Sequence, residues 1–226
     1  MRLLASGRDA DVFEIGSGKV LRRYRDPAMD CTREAAVMRH VVARGFPAPT
    51  VYEVDGPDLV MDRVHGPTMF EALAVGALTP AECAAILVEL LDRLHLIPAP
   101  GSLPGPSRLD ARPPESGVVV HLDLHPLNVL LAPGGPVVID WCNAASGPAG
   151  LDRALTALIL AQVASGELVD VGPVGRHLFD ELMLRIGPLT DVDLAVAYRS
   201  TDPNLTRLEQ QGLAEAAALL GPLTRA

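Results

Sequence analysis

Three polar side chains between residues 118 and 140 have types and spacing suited to phosphoryl transfer. Asn128 follows Asp123 after four residues, and Asp140 follows the Pro- and Gly-rich turn at 132–136. A hard divalent cation such as Mg²⁺ accepts carboxylate and amide oxygens and keeps waters and substrate phosphates as its other ligands. Asn128 and Asp140 would supply such a pair, and Asp123 would take the proton of an acceptor hydroxyl.

Short apolar runs surround these residues and predict the strands that hold them. The runs cover residues 118–120, 129–131 and 137–139, and polar residues lie between and after them. If the turn folds the second and third runs into a hairpin, Asn128 and Asp140 lie close together. The chemistry would then be placed on loops braced by strands.

The same stretch resembles the catalytic and metal-binding loops of the aminoglycoside phosphotransferase family. The matching residues are His121-Leu122-Asp123-Leu124-His125-Pro126-Leu127-Asn128 and Ile139-Asp140-Trp141. Members of this family are small-molecule kinases related in fold to protein kinases and to choline kinase. The resemblance implies that Asp123 is catalytic, that Asn128 and Asp140 bind Mg²⁺, and that ATP or GTP donates the phosphate.

Two other interpretations of His121, Asp123 and His125 stay open. Their alternation with leucine is also typical of a half-buried strand, although Pro126 has no N–H for a sheet ladder. The three side chains could also bind zinc in a metal hydrolase. Zinc sites need further ligands at interpretable spacing, and the sequence has no convincing second cluster.

The N-terminal residues predict a sheet, and the resemblance implies that this sheet binds the nucleotide. In the family that the chain resembles, the third strand carries a Lys that holds the α- and β-phosphates. Here the third strand is predicted over residues 19–24, after a Gly16-Ser17-Gly18 hairpin, and Arg22 occupies the position of that Lys. Val20, two residues earlier on the same face, is expected to lie against the adenine.

The presence of Arg22 in place of the family's Lys can be interpreted in three ways. Lys19 is the only lysine in the sequence, beside eighteen arginines, so a general preference for Arg would explain Arg22. Arg binds phosphate bidentately but is not interchangeable with Lys. Lys19 could instead hold the phosphates, although it lies beside the turn on the opposite face of the strand. The third possibility is that catalysis is weakened or lost.

A helix is predicted to begin at Asp26-Pro27 and to end near Arg44, before Gly45. On it, Glu34 matches the family's helix carboxylate, which implies an Arg22–Glu34 ion pair.

Two more strands are predicted over residues 51–54 and 59–61. The segment 62–67 after them resembles the family's hinge between lobes, which offers backbone groups to adenine. Met61, Asp62 and Val64 are therefore expected to border the nucleotide.

The C-terminal part predicts helices. Thr79 and Glu82 form a capping box before a helix with apolar residues at helical spacing, and the Pro- and Gly-rich residues 98–117 form a long connection that could border the substrate. From the resemblance, Asp152 is expected to brace the catalytic loop by hydrogen bonds. The resemblance is strongest over residues 118–152 and weak after residue 164.

Composition and charge argue against several classes of protein and of partner. Three widely separated cysteines argue against a disulfide scaffold, and residues 1–11 lack the apolar core of a signal peptide, so a cytoplasmic protein is expected. Residues 1–65 carry ten acidic and ten basic side chains, and residues 66–226 carry eighteen and nine, which gives the net charge of −9. No basic stripe suggests nucleic acid, and no run is long enough to cross a membrane. The acidic excess favours a cationic or neutral acceptor.

Together these observations predict a two-lobed α+β fold of the protein-kinase type. A small antiparallel-sheet lobe at residues 1–65 would bind the nucleotide, and a mainly helical lobe at residues 66–226 would carry the catalytic residues and bind the acceptor. The predicted function is ATP-dependent transfer of phosphate to a hydroxyl of a small molecule. The alternatives are a nucleotide-binding pseudokinase and, more remotely, a Mg²⁺-dependent hydrolase. The sequence does not predict the oligomeric state.

Overall fold

The computed structural model describes residues 1–7, 9–109, 117–165 and 172–221. The strands are β1 (Arg2–Ser6), β2 (Ala10–Gly16), β3 (Lys19–Tyr24), β4 (Val51–Asp55), β5 (Asp58–Asp62), β6 (Val118–Val120), β7 (Val129–Ala132), β8 (Gly135–Val138) and β9 (Ala145–Gly147). The helices are α1 (Thr32–Val42), α2 (Met69–Ala74), α3 (Pro80–Leu94), α4 (Ala149–Ser165), α5 (Gly172–Met183), α6 (Val192–Ser200) and α7 (Arg207–Leu219).

The first five strands form one antiparallel sheet in the order β1-β2-β3-β5-β4. Strand β3 lies at the centre, between β2 and β5, and its Val20 pairs with Met61 of β5. Val20, Leu21 and Tyr24 are buried, and α1 packs against β4. A central strand is the most rigid place in such a sheet, because both of its edges are hydrogen-bonded. The Arg22 side chain therefore starts from a fixed backbone.

Helix α1 begins later than the sequence predicted. Asp26 does not cap it; its carboxylate accepts a hydrogen bond of 2.9 Å from the backbone N–H of Ala28, which makes a local turn. The helix starts at Thr32 and ends at Val42, and Gly45 follows with a φ of +76°. Asp and Pro favour turns as strongly as helix starts, so this pair of residues did not decide the boundary.

The remaining residues are mainly helical and surround α4. Residues 154–161 of this helix are all buried, from Ala154 to Ala161, and α4 contacts α5, α6 and α7. A helix buried on every side is apolar all round, and this explains why α4 lacks an amphipathic pattern. Capping boxes at Thr79 and Thr206 start α3 and α7, and the first of them was predicted.

Two small sheets lie between the N-terminal sheet and the helices. Strand β6 pairs with β9, and β7 pairs with β8 in the predicted hairpin, with Val129 opposite Val138. Pro67 accepts a hydrogen bond of 2.9 Å from the N–H of Leu131, so the chain leaving β5 is tied directly to β7. None of the helices in the described ranges has the length and apolar character needed to cross a membrane.

Candidate active site

The loop after β6 is held by one buried carboxylate at the start of α4. Asp152 accepts hydrogen bonds from the backbone N–H groups of His121, at 2.9 Å, and Leu122, at 2.7 Å. The oxygen that accepts from His121, Oδ2, also lies 3.0 Å from Nε2 of His95. Burial alone would raise the pKa of Asp152, but the bonds from His95 and His121 outweigh it, and the pKa is lowered. The brace predicted for Asp152 is thus observed.

The loop carries backbone strain at the residue before Asp123. Leu122 has a φ of +64°, a left-handed conformation that costs a non-Gly residue about 1–2 kcal/mol. Its N–H is one of the two groups bonded to Asp152, and its side chain is buried. The carboxylate and the apolar contacts together hold this conformation. The strained turn fixes the direction in which the chain enters Asp123.

Asp123 is ionised and lies beside Asn128 and His125. Burial alone would raise its pKa, but the hydrogen bond with His125 and the electrostatic effects of His125, His121 and Arg199 lower it. Nδ2 of Asn128 donates to the Asp123 carbonyl oxygen at 2.9 Å and lies 3.3 Å from its carboxylate. A carboxylate with a lowered pKa is unprotonated at neutral pH and can accept a proton.

Asn128 and Asp140 are connected through the backbone of the β7–β8 hairpin. The N–H of Ile139 donates to the carbonyl oxygen of Asn128 at 2.9 Å, and Nε2 of His121 lies 3.1 Å from the carbonyl oxygen of Ile139. Asp140 follows with a φ of +64°, and Trp141 packs its ring 4.9 Å from that of His121. The two loops therefore form one hydrogen-bonded unit.

Arg22 joins the N-terminal sheet to Asp140. One end of the guanidinium donates to Glu34 of α1, and Nη2 donates to Oδ1 of Asp140 at 2.9 Å. The Arg22 side chain is 11% exposed, the Glu34 side chain 5% and the Asp140 side chain 39%. Burial alone would lower the pKa of Arg22, but Glu34 and Asp140 raise it above its ordinary value. The predicted Arg22–Glu34 ion pair is present, and its extension to Asp140 was not predicted.

Glu34 is held by a second partner from the same strand. The hydroxyl of Tyr24 donates to its Oε2 at 3.0 Å, and burial raises the pKa of Glu34 despite the guanidinium of Arg22. Tyr24 and Arg22 are two residues apart on β3 and share a face, a relation that sequence spacing could have revealed. Lys19 lies elsewhere, with Nζ 3.9 Å from the centre of the Tyr52 ring.

The predicted nucleotide-base contacts lie at the end of β5. Val20 and Met61 are neighbours across β3 and β5, as an adenine platform would require. The N–H groups of Asp62 and Arg63 are already bonded, to Thr50 and Gly18. The N–H of Val64 is bonded to none of the described residues, which leaves it for a ligand. The Asp62 carboxylate is held by Thr50 and Tyr52 and is not directed to this role.

The donor set of this site fits Mg²⁺. Nδ2 of Asn128 is used by Asp123, so its amide oxygen is the atom left for a cation, and Asp140 offers a partly exposed carboxylate. Two oxygen ligands suffice, because Mg²⁺ keeps waters and phosphate oxygens around it. In the part of the chain that the structure describes, no three His, Cys, Asp or Glu side chains are arranged to hold a metal. The zinc hydrolase interpretation finds no support there.

A cavity of about 410 Å³ lies next to the loop that follows Asp140. The N-terminal part lines it with Asp9, Asp26 and other residues, and the C-terminal part lines it with Cys142, Asn143 and Asn204. Neither Asp123 nor Val20 lines it. It is therefore separate from the predicted position of the base and from Asp123.

A model of the phosphotransferase enzyme family matches residues 1–112 and 106–187. Among solved structures, aminoglycoside phosphotransferase APH(4)-Ia superposes with a TM-score of 0.65 at 17% identity, covering 96% of this chain and 91% of that one. A choline/ethanolamine kinase family protein from Mesorhizobium loti gives 0.61 at 18% identity, covering 98% and 89%. The ethanolamine kinase of Plasmodium vivax gives 0.60 at 12%, covering 96% and 80%. The comparison with curated proteins gives no match.

The fold is the two-lobed kinase-like fold of small-molecule phosphotransferases, and the predicted α+β architecture is confirmed. Since the family model covers most of the sequence, the chain belongs to the phosphotransferase enzyme family. The predictions of the family and of a small-molecule kinase are confirmed. The lobe boundary at residue 65 and the roles of the individual site residues stay predictions.

Proposed function

We propose that this protein transfers the γ-phosphate of ATP, or of GTP, to a hydroxyl group of a small molecule. Asp123 orients the hydroxyl and accepts its proton, and Asn128 and Asp140 hold Mg²⁺. Arg22, positioned by Glu34, binds the donor's phosphates, while Val20, Met61 and the backbone of Asp62 and Val64 border the base. AMP-PNP and ADP are bound in structures of phosphotransferases with this fold, which supports a nucleoside triphosphate as donor.

The observation that carries the proposal is the chain of contacts from Glu34 through Arg22 to Asp140. It brings the one buried cation of β3 beside the carboxylate expected to bind Mg²⁺, as phosphate transfer requires. Asn128 in turn contacts Asp123, so the groups for metal, phosphate and proton lie along one path. A purely structural role would not require these polar groups to lie together at the junction of the two lobes.

The residues act on the reaction by position and charge. The hydroxyl oxygen attacks the γ-phosphorus, the bond to the β-phosphate oxygen breaks, and the hydroxyl proton goes to a carboxylate oxygen of Asp123. Because Asp123 is unprotonated at neutral pH, it can accept that proton. Bound Mg²⁺ would neutralise charge on the phosphates. Burial of Arg22 and Glu34 keeps their pairing rigid, so little reorganisation accompanies transfer.

Substitution of Asp123 tests this assignment. Asp123→Ala should lower phosphate transfer by about 10²–10⁴-fold, the range of general-base contributions, while nucleotide binding persists. Asp123→Asn keeps the shape and the contact with Asn128 and should lose activity to a similar extent. Transfer is followed by ³¹P NMR, and nucleotide binding by the thermal midpoint. Unchanged transfer in both variants would remove Asp123 from the mechanism.

A pseudokinase is the second candidate, and Arg22 is the observation that favours it. The guanidinium is bonded to Asp140, so Mg²⁺ would have to share that carboxylate with a competing cation. A pseudokinase would bind nucleotide and release no phosphorylated product with any acceptor. The intact set of Asp123, Asn128 and Asp140 favours the enzyme.

A further inference from the structure

Tyr24 and Arg22 bind the same buried carboxylate from one face of β3. The Tyr24 hydroxyl donates to Oε2 of Glu34 at 3.0 Å, while Nη1 of Arg22 donates to Oε1. Residues two positions apart on a strand point to the same side of the sheet, so both side chains approach α1 together. The carboxylate therefore has one donor on each oxygen, a hydroxyl on one and a guanidinium on the other.

This division of the two oxygens determines what the other end of the guanidinium can do. An arginine and a carboxylate commonly pair through two parallel hydrogen bonds, which use two guanidinium nitrogens and both carboxylate oxygens. At Glu34 the second oxygen is occupied by the Tyr24 hydroxyl, and Nη2 of Arg22 donates instead to Asp140 at 2.9 Å. The hydroxyl thus keeps one nitrogen of the guanidinium outside the buried pair.

Burial makes the Tyr24 hydroxyl a lasting donor. Tyr24 is 6% exposed and Glu34 is 5% exposed, so water has little access to the bond between them. Burial raises the pKa of Tyr24 well above its ordinary value, and the hydroxyl keeps its proton. The backbone N–H of Tyr24 donates to the carbonyl oxygen of Pro57 at 3.0 Å, which fixes the end of β3. The hydroxyl is therefore held at the carboxylate by its own backbone.

The ring of Tyr24 adds a second contact with the guanidinium. Cζ of Arg22 lies 4.8 Å from the ring centre, within the range of cation–π attraction. A planar guanidinium stacks on an aromatic face and carries several nitrogens, whereas a lysine carries a single nitrogen. A lysine at this position would have no second nitrogen to keep free. The effect of the hydroxyl on the site therefore requires an arginine at position 22.

We propose that Tyr24 is a positioning residue for nucleotide binding: its hydroxyl prevents Arg22 from pairing with Glu34 through both nitrogens and so leaves Nη2 for the phosphates of the donor. In the free protein Nη2 contacts Asp140, and in the complex it binds a phosphate oxygen. Tyr24 acts through Arg22 and not by contact with the reacting atoms. This inference rests on the proposed function, because it takes Arg22 as the group that binds the phosphates.

Tyr24→Phe tests the inference, because it removes the hydroxyl and keeps the ring. The guanidinium of Arg22 can then turn to contact both oxygens of Glu34, so the fold should survive while Nη2 is withdrawn. The Kd of AMP-PNP, measured by isothermal titration calorimetry with Mg²⁺, should rise about tenfold, as expected when one charge-assisted hydrogen bond is weakened. The midpoint of urea unfolding should change little, because the turned guanidinium replaces the hydroxyl at Oε2.

Tyr52→Phe is the matched control for this substitution. Tyr52 lies on β4 of the same sheet, and its hydroxyl donates to a carboxylate oxygen of Asp62 at 2.7 Å. The control therefore also removes a hydrogen bond from a tyrosine to a carboxylate, at a place away from Arg22. The Kd of AMP-PNP should be unchanged in this variant.

Double-mutant cycles show whether the hydroxyl acts through the arginine. In the Arg22→Lys background, Tyr24→Phe should change the Kd about twofold or less, because no second nitrogen remains to be withdrawn. Glu34→Gln gives a second cycle: the amide has only one oxygen, so the guanidinium cannot pair with it through two bonds, and Tyr24→Phe should again cost little affinity. This background also keeps the test decisive if Tyr24→Phe alone does not fold, because it leaves no unpaired carboxylate at position 34.

The outcomes separate this inference from the proposed function. An unchanged Kd in Tyr24→Phe, or the same loss in the Arg22→Lys background, would overturn the positioning role. A lower urea midpoint with wild-type affinity would make the hydroxyl purely structural and would also overturn it. The expected affinities without phosphorylated product from any alcohol would overturn phosphate transfer and keep the role of Tyr24. A wild-type protein that does not bind AMP-PNP would overturn both.

Discussion

At the scale of single residues, Arg22 determines how this phosphotransferase differs from the pattern it resembles. A lysine at this position is a point charge with three donors, whereas the planar guanidinium contacts two carboxylates at once. Here those carboxylates come from α1 and from the metal-binding loop. Arg22 therefore looks adapted to its surroundings, and its exchange for Lys should be a loss.

We expect Arg22→Lys to lower kcat/KM for the nucleotide about tenfold, equivalent to about 1.4 kcal/mol. The shorter ammonium group cannot contact Glu34 and Asp140 simultaneously in the geometry of the fork. Steady-state kinetics at varied ATP measures the change. Arg23→Lys is the control, because Arg23 lies on the same strand, has a side chain that is 49% exposed and pairs with Asp58. A large gain in activity would identify Arg22 as a handicap and favour the pseudokinase.

At the scale of elements, the site depends on two junctions that hold loops to the rest of the fold. The first is Asp152 at the start of α4, which fixes the catalytic loop. The second is the contact of Gly66 with β7, where the chain passes from the sheet to the helices. The contribution of each junction can be measured as a change in the free energy of unfolding.

Replacing Asp152 should change the acid side of the stability profile. Because the folded pKa of Asp152 is lowered, its contribution is complete above the unfolded pKa near 3.9 and is lost as the pH falls through the folded pKa. Asp152→Asn should therefore cost about 2–4 kcal/mol at pH 7, from lost charge-assisted hydrogen bonds, and the difference from wild type should shrink below about pH 4. Urea unfolding from pH 3 to 7 measures it. A difference that is constant over this range would contradict the assignment.

At Gly66 a close approach of the backbone decides the residue type. Its φ is +150°, and a Cβ added there would lie 2.0 Å from the carbonyl oxygen of Leu131. Gly66→Ala should destabilise the fold by about 2–4 kcal/mol, because strain and overlap combine. Gly76→Ala is the matched control: its φ is +71°, but no atom lies within 4 Å of an added Cβ. Equal losses in urea would show that the Leu131 contact is unimportant.

The boundaries of these elements show what the sequence could predict. The hairpin, the catalytic loop and the Arg22–Glu34 pair follow from short-range patterns and from a motif of fixed spacing. The start of α1 was predicted too early. The Asp26 carboxylate can accept a hydrogen bond either at a helix start or in a local turn, and in the folded chain it accepts from Ala28 in a turn. The contact of Arg108 with the ring of Tyr198 was not predicted, because the long connection has no periodicity and the contact joins residues ninety positions apart.

At the scale of the whole molecule, the net charge of the sequence does not predict the electrostatic potential at the site. The net charge of −9 led to the expectation of a cationic or neutral acceptor, yet several acidic side chains in the described C-terminal part form helix caps and ion pairs. The potential at a site depends on the charges that remain unpaired near it. A sum over the sequence does not contain that information.

Binding of nucleotide should stabilise the whole molecule if the two lobes close on it. At a ligand concentration one hundred times Kd, linkage adds about 2.7 kcal/mol, which corresponds to a rise of about 5–10 °C in Tm for a chain of this size. The rise should require Mg²⁺ and should shrink in Asp140→Asn. ATP and GTP are compared in the same assay. No shift at millimolar nucleotide would argue against the proposed nucleotide site.

The place of the only lysine has a practical consequence for finding this protein in a cell extract. Nucleotide probes that carry a reactive acyl group label kinases by acylating a primary amine beside the phosphates. Here that position holds a guanidinium, which stays protonated and does not react in this way, while the amine of Lys19 lies over the ring of Tyr52. Such probes would leave this enzyme unlabelled even when it is abundant and active.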